Sequence, residues 1–423
     1  MRFIYVVIVY LLTPVYAFYW IARGVGNHSY RDRFGQRFGF GYPLMPGGSI
    51  WLHAVSVGEV QASVPLVNSL VKQFPDRRIL VSTVTPTGAE RVAALFGDAV
   101  QHCYLPFETP YAVGRFFDNA KPDIALILET EIWPNLYFEC GQRDIPLILV
   151  SARISPNSVD TYRRFLPLFR ETLSYGIVIA AQSEPDAERF RQLGAAPERT
   201  WVTGNIKFDI ELPEDLLERG NAFRRDNFAG RPVWVAASTH DREEDQVLHA
   251  HAMVRKQFPD ALLILVPRHP ERFPIVRNLL QRQGLDFVAR TDNERCTADT
   301  EVYLGDTMGD VPMFYAAANV AFVGGSLVPI GGHNLLEPAA LGRPVITGPH
   351  LFHTQDIADK FATLGASIAV NDAGQLGAAV AGLFADEAAA TDIGNRGRDI
   401  VQQNRGALDR LLELLQPLLS NIH

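Results

Sequence analysis

Short runs of apolar and β-branched residues alternate with amphipathic runs along almost the whole chain, and this rhythm leaves few folds open. The apolar runs fall at residues 49–55, 78–85, 123–128, 146–150, 176–181 and 200–204. Between them lie segments such as residues 60–74, where Val60, Val64, Val67, Leu70 and Val71 recur at helical spacing. Continuous apolar strands separated by helices are the pattern of a parallel sheet covered on both faces. A polar, charged stretch at residues 210–232 interrupts the alternation and reads as a linker helix. The rhythm then restarts at 233–238, 261–266, 300–304, 320–324 and 344–347. It ends in an amphipathic helix over 398–419 that carries Leu408, Leu411, Leu412, Leu414 and Leu415.

At 423 residues the chain is too long for one ordinary core and suits two domains. The expectation is an α/β, GT-B-like architecture: two doubly wound Rossmann-like domains facing a cleft, preceded by an N-terminal hydrophobic anchor helix. The expected divisions are an anchor over 1–23, a first domain over 24–209, the linker over 210–232, and a second domain with its terminal helix over 233–423. In open parallel sheets ligands bind beyond the carboxyl ends of the strands, so the strand-to-helix loops are where chemistry is sought.

Residues 3–22 contain no charged side chain. As a helix they would measure roughly 30 Å, the thickness of a hydrocarbon core. Arg23, Arg31, Arg33 and Arg37 follow, which by the positive-inside rule places the bulk of the chain in the cytoplasm. Those arginines also argue against export behind a cleaved signal peptide. Pro14 and the tyrosines at 5, 10, 16 and 19 leave a second reading open, a helix lying in the membrane interface. The net charge of −8 excludes a general affinity for nucleic acid. Three scattered cysteines without a CxxC pair point to a reducing compartment and to small core side chains, not to disulfides or zinc.

Several loops carry polar groups in costly places. In 56–59, Ser-Val-Gly-Glu after the first strand, Glu59 could take a proton from a hydroxyl, or could merely offset a helix dipole. ETEIWPN at 129–135 sets Glu129 and Glu131 directly after a buried strand, as ligand contacts or as a helix cap. Arg268 and His269 follow another strand; a guanidinium there matches two phosphate oxygens, with a surface ion pair as the plain alternative. Ser238 and Thr239 end the first strand of the second half and could bind phosphate or carboxylate. The densest signal is residues 323–349, where glycine pairs including Gly331 and Gly332 precede His333, Asn334 and Glu337. Glycines make room for a ligand, a helix N-terminus attracts an anion, and Glu337 could accept from ribose hydroxyls; together these favour a nucleotide site. A basic, aromatic segment at 151–170, with Arg163 and Arg164, could lie on anionic lipid or hold a phosphorylated acceptor, or be an ordinary surface helix. No DxD, Walker A or strand-borne GxGxxG sequence occurs, and the histidines lack zinc spacing, so no metal or cofactor is expected.

HAVSVGE, ETEIWPN, SARIS, AASTHDREE, PRHPERF and GGHNLLEPAALGRPVITGP, in that order, resemble the Kdo transferase family of Gram-negative bacteria. The resemblance covers nearly the whole chain. It implies an inverting, metal-independent transferase that moves Kdo from CMP-Kdo to a lipid A precursor, the tetraacyldisaccharide 1,4′-bisphosphate, at the cytoplasmic face of the bacterial inner membrane. By the same resemblance Glu59 is the catalytic base and Glu129 and Glu131 shape the acceptor side; Arg163 and Arg164, from the basic segment, are the further acceptor candidates. Ser238, Thr239, Arg268, His269, Gly331, Gly332, His333, Asn334 and Glu337 would bind CMP-Kdo. The family's STHxGEE pattern has a glycine where this chain has Arg242, which leaves Ser238 and Thr239 less secure. A transferase with another sugar nucleotide, and a membrane-tethered binding module without catalysis, are the competing readings.

Overall fold

The computed structural model describes residues 1–420, and they fall into two compact units. The first comprises Met1–Asp209 together with the chain from Asn404 onward, the second Ile210–Gln403.

The first unit is built on seven strands: β1 (Ser49–His53), β2 (Ile79–Thr83), β3 (Gln101–Tyr104), β4 (Pro122–Leu128), β5 (Leu147–Ala152), β6 (Val178–Ala181) and β7 (Thr200–Val202). They form one parallel sheet in the order β3-β2-β1-β4-β5-β6-β7. The second unit has β8 (Val233–Thr239), β9 (Leu262–Pro267), β10 (Phe287–Ala289), β11 (Val302–Leu304), β12 (Val320–Val323), β13 (Val345–Thr347) and β14 (Ser367–Ala369). Its order is β10-β11-β9-β8-β12-β13-β14, again parallel. In each sheet the first strand lies inside and the chain winds outward in both directions. This puts a topological switch point between β1 and β4, where Leu52 pairs with Leu126, and another between β8 and β12, where Ala237 pairs with Val323. Helices bury both faces, so each sheet sits between two apolar layers.

The strands absent from the sequence reading are β3, β10 and β14, all at sheet edges. An edge strand packs on fewer neighbours and can stay short and partly polar, so the continuous apolar run that betrays a central strand is missing. The amphipathic run at 60–74 is two helices, Val57–Ala62 and Val64–Gln73, parted at buried Ser63 before Pro65.

Two domain expectations are corrected. The helix expected over 398–419 is broken at Gly406, whose φ of 80° no right-handed helix can continue, into Glu387–Asn404 and Ala407–Ser420. The second piece belongs to the first unit. Its Leu411, Leu415 and Leu419 complete the core beside Ile50, Leu52, Ile124 and Leu126, and Asp209 accepts the amides of Gly406 and Leu408, both at 2.6 Å. Residues 210–232, read as a linker, contribute the helix Leu216–Phe228 to the second unit. Gly220 lets it pack so closely on the helix Val311–Ala317 that a Cβ there would lie 2.4 Å from Ala316 Cβ.

The N-terminal helix Arg2–Gly26 is long and apolar enough to cross a membrane, yet it touches the first unit along its length. At its start Arg2 Nε donates to Asn135 Oδ1 at 3.2 Å and Tyr5 Oη donates to Glu108 at 3.1 Å. Midway Tyr16 meets Phe107, and near its end buried Trp20 lies under the Arg37 guanidinium at 3.9 Å. The inward face is Tyr5, Val6, Val9, Thr13, Ala17, Trp20 and Gly24; Phe3, Leu11, Val15, Phe18 and Val25 point outward and are at least 63% exposed.

Candidate active site

At the switch point of the first sheet, β1 ends at His53 and the chain turns at Ser56 into the helix Val57–Ala62. Ser56 caps that helix by accepting the Glu59 amide at 3.3 Å. The Glu59 carboxylate turns back over the same turn, accepting the Val55 amide at 2.8 Å and the Ser56 hydroxyl at 2.9 Å. This is a reciprocal cap, and it holds the carboxylate at the switch point. Burial pushes the Glu59 carboxyl up to about 7, with the neighbouring charges of Glu129 and Glu131 adding to the rise against the two hydrogen bonds.

Glu129 and Glu131 come from the loop after β4. Glu129 is held in the left-handed region at φ 56°, an uncommon conformation for a residue with a side chain. What holds it is a pair of cations: Lys207 Nζ at 2.8 Å on one oxygen and Arg153 Nε at 3.2 Å on the other. Glu131 accepts the indole N–H of Trp133 at 2.7 Å, and its carbonyl accepts Tyr137 Oη at 2.9 Å. Burial, partly offset by Trp133, raises its carboxyl to about 6. Three carboxylates thus gather at one switch point, with two cations to balance them. Arg163 and Arg164 stand apart from that group: both are exposed at the end of the helix Pro156–Arg163, and Arg163 donates to Gln192 at 2.9 Å.

The second switch point gathers the other candidates. Ser238 sits at φ 60° next to buried Thr239, whose hydroxyl donates to Glu244 at 3.4 Å. Past them His240 stacks on His333 with the rings 5.0 Å apart and Nε2 atoms 2.7 Å apart, and His269 packs edge-on at 5.3 Å. His333 is held down to about 3 by burial, then by the neighbouring His240, Arg268, His269 and His353. A ring so placed is neutral at pH 7, so one nitrogen of the contact donates and the other accepts. The Arg268 guanidinium half-emerges beside these rings without a hydrogen bond or ion pair among the described residues. Asn334 Nδ2 donates to Glu337 at 3.1 Å and its oxygen accepts the Leu336 amide at 3.0 Å. Burial raises the Glu337 carboxyl, with Asn334 and Arg268 opposing the rise. Gly331 and Gly332 have φ of 111° and 76°; a Cβ on Gly331 would lie 2.3 Å from the His353 ring.

One expectation here needs changing. The amides at the first glycine pair are already taken: Glu243, wholly buried, accepts those of Gly325, Ser326 and Leu327 at 2.7, 3.1 and 2.9 Å. The helix that follows, Leu336–Ala340, is barely one turn and supplies little dipole. The guanidinium of Arg268 is a nearby cation, felt electrostatically by both His333 and Glu337. Sequence reasoning missed Glu243, Glu244 and Lys207. The acidic pair opens the helix Glu243–Gln257, where acids are ordinary dipole partners, and Lys207 lies 78 residues from the acid it meets.

Two parallel, doubly wound units with polar side chains collected at their switch points have the α/β, GT-B-like fold. Residues 32–210 match the model of a family described as 3-deoxy-D-manno-octulosonic-acid transferase (kdotransferase). The 3-deoxy-D-manno-octulosonic acid transferase of Haemophilus influenzae is 39% identical over 421 residues, 99% of each chain. That of Bordetella pertussis is 36% identical over 394 residues, covering 91% of this chain and 90% of its own. Among solved structures, the spinosyn rhamnosyltransferase SpnG, complexed with spinosyn aglycone, superposes with a TM-score of 0.52 at 14% identity, over 86% of this chain and 99% of its own; that likeness concerns the fold alone. The chain belongs to the 3-deoxy-D-manno-octulosonic acid (Kdo) transferase family.

Proposed function

We propose that the chain transfers Kdo from CMP-Kdo to the lipid A precursor tetraacyldisaccharide 1,4′-bisphosphate, with inversion at the anomeric carbon. The observation that carries the reading is Glu59: a carboxylate aimed by two hydrogen bonds, at a switch point, with its pKa raised to about 7. A general base works best when its pKa lies near the working pH. Glu59 takes the proton from a glucosamine hydroxyl as that oxygen attacks the anomeric carbon of Kdo, and CMP leaves from the opposite face. Arg268 neutralises charge on the departing phosphate, with His269 and the His240–His333 pair beside it. Asn334 and Glu337 take the ribose hydroxyls, Gly331 and Gly332 leave room for the nucleotide, and Ser238 and Thr239 meet the sugar carboxylate. Glu129 and Glu131 form the acceptor side, and Arg163 and Arg164 reach the acceptor's phosphates. No step calls for a metal or cofactor.

The N-terminal helix supports a place at the cytoplasmic face of the bacterial inner membrane. Its outward stripe suits the acyl boundary, and Arg23, Arg31 and Arg33 suit anionic headgroups. Its contacts with its own domain at both ends favour a helix lying in the interface over one that crosses. A cysteine placed at Phe3 should then escape a membrane-impermeant maleimide applied outside spheroplasts; labelling from outside would mean that the helix spans.

The deciding assay incubates the full chain with CMP-Kdo and the tetraacyl acceptor in the presence of EDTA and weighs the lipid by mass spectrometry. Lipid heavier by one or more Kdo units is the expected result. Transfer from a different sugar nucleotide would replace the donor, and folded protein that binds both substrates without product would make it a binding module.

A further inference from the structure

Glu108 is buried, lies outside the three-carboxylate cluster, and has no part in the chemistry just described. Its surroundings explain why it is there. The helix Pro134–Gln142 starts badly: Trp133 at its N-cap offers no side-chain acceptor, and Pro134 has no N–H to give. The free amides are those of Asn135 and Leu136, and Glu108 accepts them from another loop, Asn135 at 2.9 Å on one oxygen and Leu136 at 2.8 Å on the other. The Glu108 carbonyl also accepts the Asn135 side-chain amide at 2.6 Å.

The same carboxylate has a third partner, the Tyr5 hydroxyl of the N-terminal helix at 3.1 Å, while Arg2 reaches the oxygen of the Asn135 side chain and lays its guanidinium 3.1 Å over the Phe138 ring. From this helix start it is about one turn to Tyr137, whose hydroxyl holds the Glu131 carbonyl, and three residues back to Glu131 itself. Burial raises the Glu108 carboxyl to about 7, while the two backbone amides, Tyr5 and Arg2 hold it down, so its charge depends on partners from both helices.

We propose that Glu108 is a positioning residue that joins the N-terminal helix to the start of the helix Pro134–Gln142 and thereby fixes where Glu131 stands. The helix that meets the membrane would then be part of the acceptor site's scaffold, not a detachable tether. This rests on the reading of Kdo transfer to a lipid acceptor with Glu131 on the acceptor side.

The test uses the full chain in detergent micelles, where membrane recruitment plays no part, with CMP-Kdo and the tetraacyl acceptor. For Glu108→Ala, Glu108→Gln and Tyr5→Phe, kcat and each KM are measured, together with hydrogen exchange over residues 129–137. Glu108→Ala should lower kcat/KM for the acceptor about tenfold or more. KM for CMP-Kdo should hold, and residues 129–137 should lose protection. Glu108→Gln, which keeps an acceptor oxygen, should recover much of that loss, and Tyr5→Phe should shift both readouts in the same direction by a smaller factor. Unchanged exchange and unchanged acceptor kinetics in Glu108→Ala and Tyr5→Phe would overturn the proposal. So would a proportional fall in melting temperature and in both substrates' kinetics with no rescue by Gln. If the wild-type chain transfers no Kdo, the functional reading fails instead, and the exchange of residues 129–137 in Tyr5→Phe still decides whether the two helices are joined.

Discussion

The carboxylate of Glu243 accepts the amide of Gly325 at 2.7 Å, joining the helix after β8 to the loop after β12 across 82 residues of sequence. The amides of Ser326 and Leu327 share the same carboxylate, as does that of His240 at 3.2 Å. Burial raises the carboxyl and these four N–H groups oppose that rise. Removing it strands several buried donors together, at a cost of about 3 kcal/mol or more. Glu243→Ala should therefore lower the melting temperature markedly and weaken CMP-Kdo binding, although Glu243 is not proposed to touch the nucleotide. Calorimetric titration with CMP beside a melting curve checks both; an unchanged melting curve would mean the loop holds its shape unaided.

Glu59→Gln should separate activity from stability. As the proposed base, Glu59 works only when ionised, so kcat should fall as pH drops below about 7, and Glu59→Gln should lose turnover by orders of magnitude at every pH. Stability should move the other way. A carboxyl whose folded pKa lies above its unfolded value near 4.5 favours the fold in its protonated form. That contribution is whole below the unfolded value and is lost as pH rises through about 7. Glutamine imitates the protonated form permanently, so the variant should melt higher than wild type at pH 8 and match it near pH 4. A variant that melts lower at pH 8 would contradict the raised pKa.

These residues also show what the sequence could and could not reveal. Glu129 and Glu131 were legible because they stand just past a buried apolar strand, where an acid needs a reason to be. Glu59 lies in the first turn of a helix, and only the family resemblance raised it above a dipole partner. The central strands were legible by their continuous apolar runs, and of the four edge strands only β7 was, since an edge strand needs no such run. Lys207 and Glu243 were hidden because their roles depend on which strands become neighbours, and strand order is not a local property. Glu243 stands among the first residues of its helix, where an acid is expected anyway, and nothing local tells that it turns inward. The terminal leucine helix was recognisable as amphipathic, but an apolar stripe does not say which core it completes; Gly406 and Asp209 decide that.

Glu129 offers a test of electrostatics at fixed backbone. Its charge is one of the influences that raise Glu59, second to burial. Glu129→Gln removes that charge while keeping an acceptor for Lys207 or Arg153. The acid limb of the pH–kcat profile should move to lower pH, because Glu59 then ionises more readily. If the limb stays in place while KM for the lipid acceptor rises, Glu129 serves the acceptor directly and has little influence on the base.

Arg242 supplies the last prediction, and it concerns a departure from the family's pattern. In the STHDREE stretch this arginine occupies the place where the pattern has glycine, and its φ is 65°. That is left-handed backbone, which glycine enters freely and an L-residue with a Cβ enters at a cost of roughly 1–2 kcal/mol. The position cannot relax, because Glu243 next to it is pinned by the amides of the glycine loop. The Arg242 side chain is 89% exposed, and its ion pair with Asp241 is a loose 3.8 Å contact worth little at a surface. Arg242→Gly loses almost nothing in contacts and relieves the strain, against the larger chain entropy that glycine carries when unfolded. A net gain of about 0.5–1 kcal/mol is expected, seen as a higher urea midpoint at unchanged slope, with CMP-Kdo binding retained. A lower midpoint would show that the arginine makes a stabilising contact in solution that its exposed position does not disclose.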